Sequence, residues 1–485
     1  MIKAVTSTQM RQIETTFMKK TGCPSILLME HAALALVRAI GTDKKRVLFI
    51  CGFGNNGGDG LAAARLYRGP CDVWVLYPDK LHGDALLNLS LLKTTRPDMV
   101  ITPIEGHLPS IPRDTDIIVD AIFGTGMDQP ASTEMANLFI RINQSGLPVL
   151  ACDIPSGIHG TTGDILGSAV IAEKTITFHR PKTGLYLKNA VDYTGDVIIA
   201  DIGIPDSFDP ADLVDIAVLN DYKAYRPLRR KNSHKGLYGH VLVIAGSEGM
   251  AGAAAICAKA AIKAGAGLVT LLCDEGVLSV VQTIVPGAMG IKLPKDYAFY
   301  STVTGNACEI ADIVAIGPGL GHDESRIPII EAVIASGKPV VWDADALNLL
   351  ALYDHLRTKR DHYIFTPHPG EAKRFIHEPP DDSIAFAAAL QDMLGGTVLL
   401  KGATSIIKDL SHTAFNISGT PAMAKGGSGD ALTGIIAALY AQDMNCPYLA
   451  AQMGAFIHGE AGKKAAEHTG DHALDIMTLI DFIGG

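Results

Sequence analysis

From residue 46 to residue 204, short apolar runs return at intervals: RVLFIC (46–51), CDVWVLY (71–77), DIIVDAIFG (116–124), PVLACDIP (148–155), TITF (175–178) and DVIIADIGI (196–204). Helical patterns fill the gaps. The runs are continuous rather than alternating, as expected of strands buried on both faces of a parallel sheet. The pattern predicts a doubly wound α/β layer sandwich. After a polar, Arg- and Lys-rich stretch at 221–235 (DYKAYRPLRRKNSHK), it restarts with HVLVIAGS (240–247), LVTLLC (268–273), DIVAIGPGLG (312–321), PVVWDADALN (339–348), YIFTPHPGE (363–371) and TVLLKGATSIIKD (397–409). Ala-rich helical segments such as 253–267 and 430–442 lie between them. The polar stretch is the expected domain boundary, which gives an amino-terminal domain over 1–222 and a carboxyl-terminal domain over 223–485. Two α/β domains in one chain imply two sites.

Composition narrows the class. The 485 residues are 48% hydrophobic, 19% charged and 6% aromatic, with 50 Gly and 25 Pro, a compact globular profile rather than a disordered one. The net charge of -10 argues against nucleic acid as a partner, so any phosphate must be held locally. Eight cysteines lie singly without zinc spacing and read as buried reduced thiols. The polar start (MIKAVTSTQMRQIE) lacks a signal-peptide core, and no run is long enough to span a bilayer. The expectation is a cytoplasmic homo-oligomer with no membrane partner.

Candidate chemistry gathers where strands end. CGFGNNGGDG (51–60) is a Gly-rich loop between an apolar run and a helix, the place where α/β sheets present free amides to anionic ligands. Gly52, Gly54 and Gly57 satisfy a GxGxxG that alone reads equally well as a tight turn. Asn55, Asn56, Gly57, Gly58 and Asp59 exceed that reading, because two amides and a carboxylate are costly to bury without partners. Asp120 and Asp153 fall at strand ends on the same edge, and Ser156 follows on a Pro-Gly turn. Each Asp alone could be a helix cap. Together their oxygens suit a hard cation, and Asp153 is placed for acid–base work.

These motifs, CGFGNNGGDG, DAIFGTG and ACDIPSG, resemble the NAD(P)H-hydrate epimerase domain, with matching order and spacing over nearly the whole first half. The resemblance implies interconversion of the R and S hydrates of NADH and NADPH, damaged cofactors with water added across the nicotinamide ring. It implies that residues 55–59 together with Gly124, Thr125, Gly126, Met127, Asp128, Gln129 and Pro130 line the hydrate site. Asp153 would then bind the hydrate and move the proton, and Asn56, Asp120 and Ser156 would hold K+. Lys182 in HRPKTGL also matches a position near that site, with an exposed loop lysine as the other reading.

In the second half, AKGGSGDALTG (424–434) sets a Gly-rich turn directly before a helix. Backbone amides of Gly427, Ser428 and Gly429 can form an anion hole there, with Asp430 in the first helical turn. A phosphoryl transfer needs both a base and fixed donors, and GGSGD supplies both; the alternative is a helix start with a dipole-partner Asp. Lys401 closes an apolar strand, and its ammonium needs an anionic partner. His368 lies between two prolines on the same edge. No GxxxxGK[ST] is present, so this is not a Walker-type ATPase.

GPGLG, DADALN, TPHPGE, KGATS and GGSGD in this order resemble the ribokinase-like ADP/ATP-dependent NAD(P)H-hydrate dehydratase. There a nucleotide phosphorylates the hydroxyl of the S-hydrate, and phosphate leaves to regenerate NAD(P)H. The resemblance implies nucleotide binding by Lys401, Gly402, Ala403, Thr404, Ser405 and Gly429. It implies hydrate binding by Ala253, Gly319, His368 and Asp430, with Asp430 as the base, and Asn348 beside phosphate or Mg²⁺. Fused chains of this type imply ADP, with release of AMP and phosphate. Small-molecule partners would be the NADH and NADPH hydrates and ADP.

Three other functions remain open at this stage. An NAD-dependent oxidoreductase explains GxGxxG, with Asp79 as the ribose acid, but not the Asn-Asn pair. A vitamin or sugar kinase explains GGSGD but not the first domain. A scaffold or RNA-binding adaptor fits poorly with the acidic charge and with Asp153.

Overall fold

The computed structural model describes every residue except 42–43, 98, 107, 226–228, 230, 443–445 and 485. It divides into two compact units, Lys3–Val214 and Asp215–Gly485, the latter also containing Met1–Ile2. The division falls ahead of the expected stretch at 221–235 because Asp215 and Ile216 already pair, in parallel, with Ala414 and Phe415 of the second sheet. Leu219–Tyr225 is then a helix, while 226–228 and 230 lie outside the described residues.

The first unit carries a parallel sheet in the order Ile101–Ile104, Cys71–Leu76, Val47–Cys51, Ile117–Ala121, Val149–Cys152, Lys174–Phe178, Asp196–Ala200. Val47–Cys51 and Ile117–Ala121 are buried at every position, as their unbroken apolar runs require. The chain starts at Val47–Cys51, builds outward to one side, then returns to build on the other. The order therefore reverses between Val47–Cys51 and Ile117–Ala121, the switch point where such sheets open a crevice. The two strand ends touch through backbone there: a Cβ on Gly52 would lie 2.0 Å from the Ile122 carbonyl oxygen, so the position accepts only glycine.

The second unit repeats the logic. From His240–Ile244 the sheet builds through Leu268–Cys273 and Met289–Lys292 on one side. On the other it runs through Ile313–Ile316, Val340–Trp342, Tyr363–Phe365 and Thr397–Leu400. Ser405–Lys408 then returns antiparallel to Thr397–Leu400 and Thr413–Asn416. Its switch point lies between His240–Ile244 and Ile313–Ile316, where Gly246 N donates to the Pro318 carbonyl at 2.9 Å. Helices Ala251–Lys263 and Ser428–Ala441 pack side by side over the sheet. Among the described residues no helix is long and apolar enough to cross a membrane.

The packing of those two helices rests on Gly434, where an added Cβ would stand 2.2 Å from the Cys257 carbonyl oxygen and 3.0 Å from Ala261 N. Both obstacles are backbone and cannot rotate away. Gly434→Ala should therefore destabilise the carboxyl unit by about 2 kcal/mol, read as a lower urea midpoint, despite alanine's better helix propensity.

Candidate active sites

At the first switch point a cavity of about 670 Å³ opens, lined by residues that include Asn55, Asn56, Asp59, residues 124–130, Asp153 and Lys182. The helix Asn55–Leu66 begins at its wall, so its free amides face the space. Gly57 and Gly58, expected among the lining residues, lie outside that lining. A Cβ on Gly57 would sit 1.8 Å from the Gly52 carbonyl oxygen, and one on Gly58 would meet Met29 and Ala85. Both let the loop and helix pack closely at the cavity's edge.

Asp153 follows the strand Val149–Cys152 with φ at 65°, a left-handed backbone that a non-glycine residue adopts at a cost. That twist turns its carboxylate toward Lys182, whose ammonium donates to Oδ1 at 2.5 Å. Lys182 also reaches Thr177 Oγ1 at 3.2 Å and the Phe178 carbonyl at 3.3 Å, and it is 1% exposed. The exposed-loop reading of Lys182 is thereby corrected: three acceptors, one of them the Asp153 counterion, compensate its burial. Glu14, on the helix Ser7–Thr21, faces the same cavity and carried no sequence signal of its own.

Asp120 lies fully buried behind this wall. Its Oδ1 accepts from Ser156 Oγ at 2.6 Å and Ile122 N at 3.2 Å, and its Oδ2 from Ser156 N at 2.8 Å. Burial nevertheless pushes its carboxyl up to about 6, against those hydrogen bonds, and it has no cationic partner among the described residues. Ser156 Oγ accepts from Phe123 N at 2.9 Å, and the neighbouring Gly124 abuts the Asn56 amide, whose nitrogen is buried without a partner. The segment 123–124 thus links the three residues expected to hold a cation. The oxygens of Asp120, Ser156 and the Asn56 side chain are the groups there that could hold a hard cation, whereas the unpartnered Asn56 nitrogen is a donor and could not.

In the second unit, the bend at 424–426 is exposed, and Gly427, with φ at 91°, starts the helix Ser428–Ala441. Asp430 sits in its first turn. Burial, and then the charge of Asp343, pushes its carboxyl up to about 6, while Lys401 pulls the other way. Behind the turn, His458 Nε2 lies 3.4 Å from Ser428 Oγ, and burial pushes that imidazole down to about 4, so it is neutral near pH 7.

Lys401 ends the strand Thr397–Leu400, and residues 401–404 form the hairpin before Ser405–Lys408. Its ammonium donates to Asp343 Oδ1 at 2.7 Å and lies 4.0 Å from Glu371. Burial opposes its charge, but these carboxylates outweigh burial and hold its pKa above the usual lysine value. Asp343, 1% exposed, accepts from Thr433 Oγ1 on its other oxygen at 2.7 Å. A Cβ on Gly429 would come within 3.3 Å of the Lys401 ammonium. Strand end, hairpin and anion loop are therefore tied at one point. Sequence reading quoted DADALN without singling out Asp343 and missed Thr433, although its spacing from Asp430 puts both on one helix face.

Gly319, with φ at 59°, faces Ala253: its missing Cβ would be 3.1 Å from the Ala253 Cβ. His368 is exposed and caps the helix Pro369–Phe375, its Nδ1 accepting from Gly370 N at 2.9 Å and Glu371 N at 3.3 Å. Asn348 accepts from Arg374 through its side-chain oxygen.

Comparison with known proteins decides between the open functions. Residues 241–483 match a family model described as NAD(P)H-hydrate dehydratase, and residues 25–184 match the YjeF-related protein N-terminus. A Moorella thermoacetica protein named bifunctional NAD(P)H-hydrate repair enzyme Nnr is 36% identical, with 99% of this chain and 95% of that one aligned. The chain belongs to the bifunctional NAD(P)H-hydrate repair enzymes. A member of the same name from Escherichia coli is 36% identical over 92% of this chain and 85% of its own. Among solved structures, a ribokinase-like superfamily protein from Enterococcus faecalis aligns with 56% of this chain and 94% of its own at 27% identity and a TM-score of 0.51. Family membership removes the oxidoreductase, vitamin-kinase and scaffold readings.

Asp343 carries the second site's packing. Asp343→Ala leaves the Lys401 ammonium without its near partner and should cost about 3 kcal/mol of stability, measured as a shift in the urea midpoint.

Proposed function

We propose that the amino-terminal cavity interconverts the R and S hydrates of NADH and NADPH, and that the carboxyl unit dehydrates the S-hydrate at the expense of ADP. The observation that carries the second half is the position of Asp430. It stands in the first turn of Ser428–Ala441, beside helix amides that open onto the exposed bend at 424–426. Amides of Gly427, Ser428 and Gly429 would hold the transferring phosphoryl group, and the hairpin 401–405 would border the nucleotide. Asp430 would take the proton of the hydrate's hydroxyl as that oxygen bonds to the terminal phosphorus of ADP and AMP departs. Phosphate then leaves carbon, a better leaving group than hydroxide, and loss of the neighbouring C–H proton restores the dihydropyridine ring. Mg²⁺ would be brought in on the nucleotide's phosphates.

The epimerase half rests on Asp153, fixed by Lys182 inside the cavity. K+ beside Asp120, Ser156 and Asn56 would supply the counterion that Asp120 lacks and steady the segment from Phe123. A chiral dehydratase site discriminates between the two hydrates, so one chain with both sites drains the whole damaged pool.

With ADP, Mg²⁺ and mixed NADPH hydrates, absorbance at the reduced-nicotinamide band should recover, and Asp430→Asn should slow that recovery by about 1,000-fold or more. Asp153→Asn should leave rapid recovery from one epimer and stall on the other; equal loss of both would contradict separate sites. Because the base works ionised, recovery with S-hydrate alone should fall as pH drops below about 6, the value to which Asp430 is raised, and that limb should vanish in Asp430→Asn.

A further inference from the structure

Asp59 stands in the same cavity as Asp153 but in a different electrostatic position. It lies within the amino-terminal part of the helix Asn55–Leu66 and has neither hydrogen bond nor ion pair among the described residues. Around it the backbone is locked: Gly58 is pressed against Met29 and Ala85, and Gly60 against Ala121 and Cys51. Glu14 also lines the cavity without a hydrogen bond or ion pair among the described residues, and Arg11 lies one turn before it on its own helix. Lys182, in contrast, is fully committed to Asp153, Thr177 and Phe178. Three carboxylates thus line one cavity in which the nearest ammonium already belongs to one of them. Carboxylates crowded in this way hold a proton more readily than isolated ones.

We propose that Asp59 is the second acid–base group of the epimerase cavity, the one that gives a proton while Asp153, held by Lys182, accepts one. The inference rests on the epimerase reading above and names how that site works. Burial, then the charges of Asp153 and Glu14, push the Asp59 carboxyl well above the ordinary carboxylate value. Inversion at the hydrated carbon, C6, needs two complementary groups. Asp153 accepts the C6 hydroxyl proton as the C6–N1 bond breaks and C6 becomes an aldehyde carbonyl. The electron pair left on N1 takes the proton of Asp59. Rotation about C5–C6 presents the other carbonyl face. N1 then bonds to C6 again, returns its proton to Asp59, and the carbonyl oxygen recovers the proton from Asp153. All protons return to their starting groups, and no oxidant or reductant is involved.

The test follows R-to-S interconversion of NADPH hydrates by chromatography with nucleotide omitted, so that the dehydratase is silent. Asp59→Asn should lower kcat by about 100-fold or more with KM within about 3-fold of wild type. The wild-type rate should decline as pH rises through the Asp59 value, with Glu14, Arg11, Asp153, Lys182 and Cys152 as the other ionisable groups facing it, and that decline should be absent from the residual activity of the variant. An unchanged kcat, or a loss confined to KM, overturns the proposal while leaving the epimerase reading intact. A wild-type protein that interconverts nothing overturns both. If Asp59→Asn no longer binds hydrate in equilibrium dialysis, Asp59→Glu decides: recovery of at least about a tenth of the wild-type rate supports a carboxylic acid at this place, and its absence overturns it.

Discussion

A lysine ammonium bonded to an aspartate just past the end of a parallel strand organises each of the two units. In the first, Lys182 holds Asp153 after Val149–Cys152; in the second, Lys401 holds Asp343 after Val340–Trp342. Neither charge could be buried alone, and each pair is completed by further hydrogen bonds, from or to Thr177 in one and Thr433 in the other. Removing either partner would leave an uncompensated charge inside the protein, which is far costlier than losing a surface bridge. The pairs thereby fix the strand ends on which the remaining site groups depend. Asp430 owes its raised pKa partly to Asp343, and Asp59 owes part of its own to Asp153.

The sheets supply the place, and the glycines supply the closeness. Both sites open where the strand order reverses, which is where a doubly wound sheet leaves its strand ends uncovered. At the first, Gly52 and Gly57 let the loop backbone touch Ile122 and fold back on itself. At the second, Gly319 lets its loop meet Met250 and Ala253. Side chains at these points would push the helix N-termini away from the crevice. The glycines thus hold the loop backbones and helix N-termini close to the crevice.

Much of this was legible in the chain. Continuous apolar runs give parallel strands, and the loops at 52–59, 120–130, 153–156 and 426–430 lie at the edges where the structure puts them, because strand periodicity and turn chemistry are local properties. What escaped was set by distant contacts. Lys182 stays open between a site residue and a loop lysine until the fold brings it to Asp153 across 29 residues, and the anionic partner that Lys401 requires, a phosphate or a nearby carboxylate, is identified only by Asp343, 58 residues away. Glu14 belongs to an unremarkable amphipathic helix, and nothing in its neighbours announces a cavity. The close packing that Gly57 and Gly58 permit is likewise invisible in their motif, because Gly52, Met29 and Ala85 meet them only in the fold.

The bond between Lys401 and Asp343 also bears on the charge presented at the strand ends of the second unit. The ammonium is neutralised by a carboxylate of the protein itself, so the strand end beside Asp430 carries no naked positive charge. A phosphate reaching this edge would join an existing pair instead of rescuing an isolated cation. Removal of such an anion would likewise leave the Lys401–Asp343 pair in place.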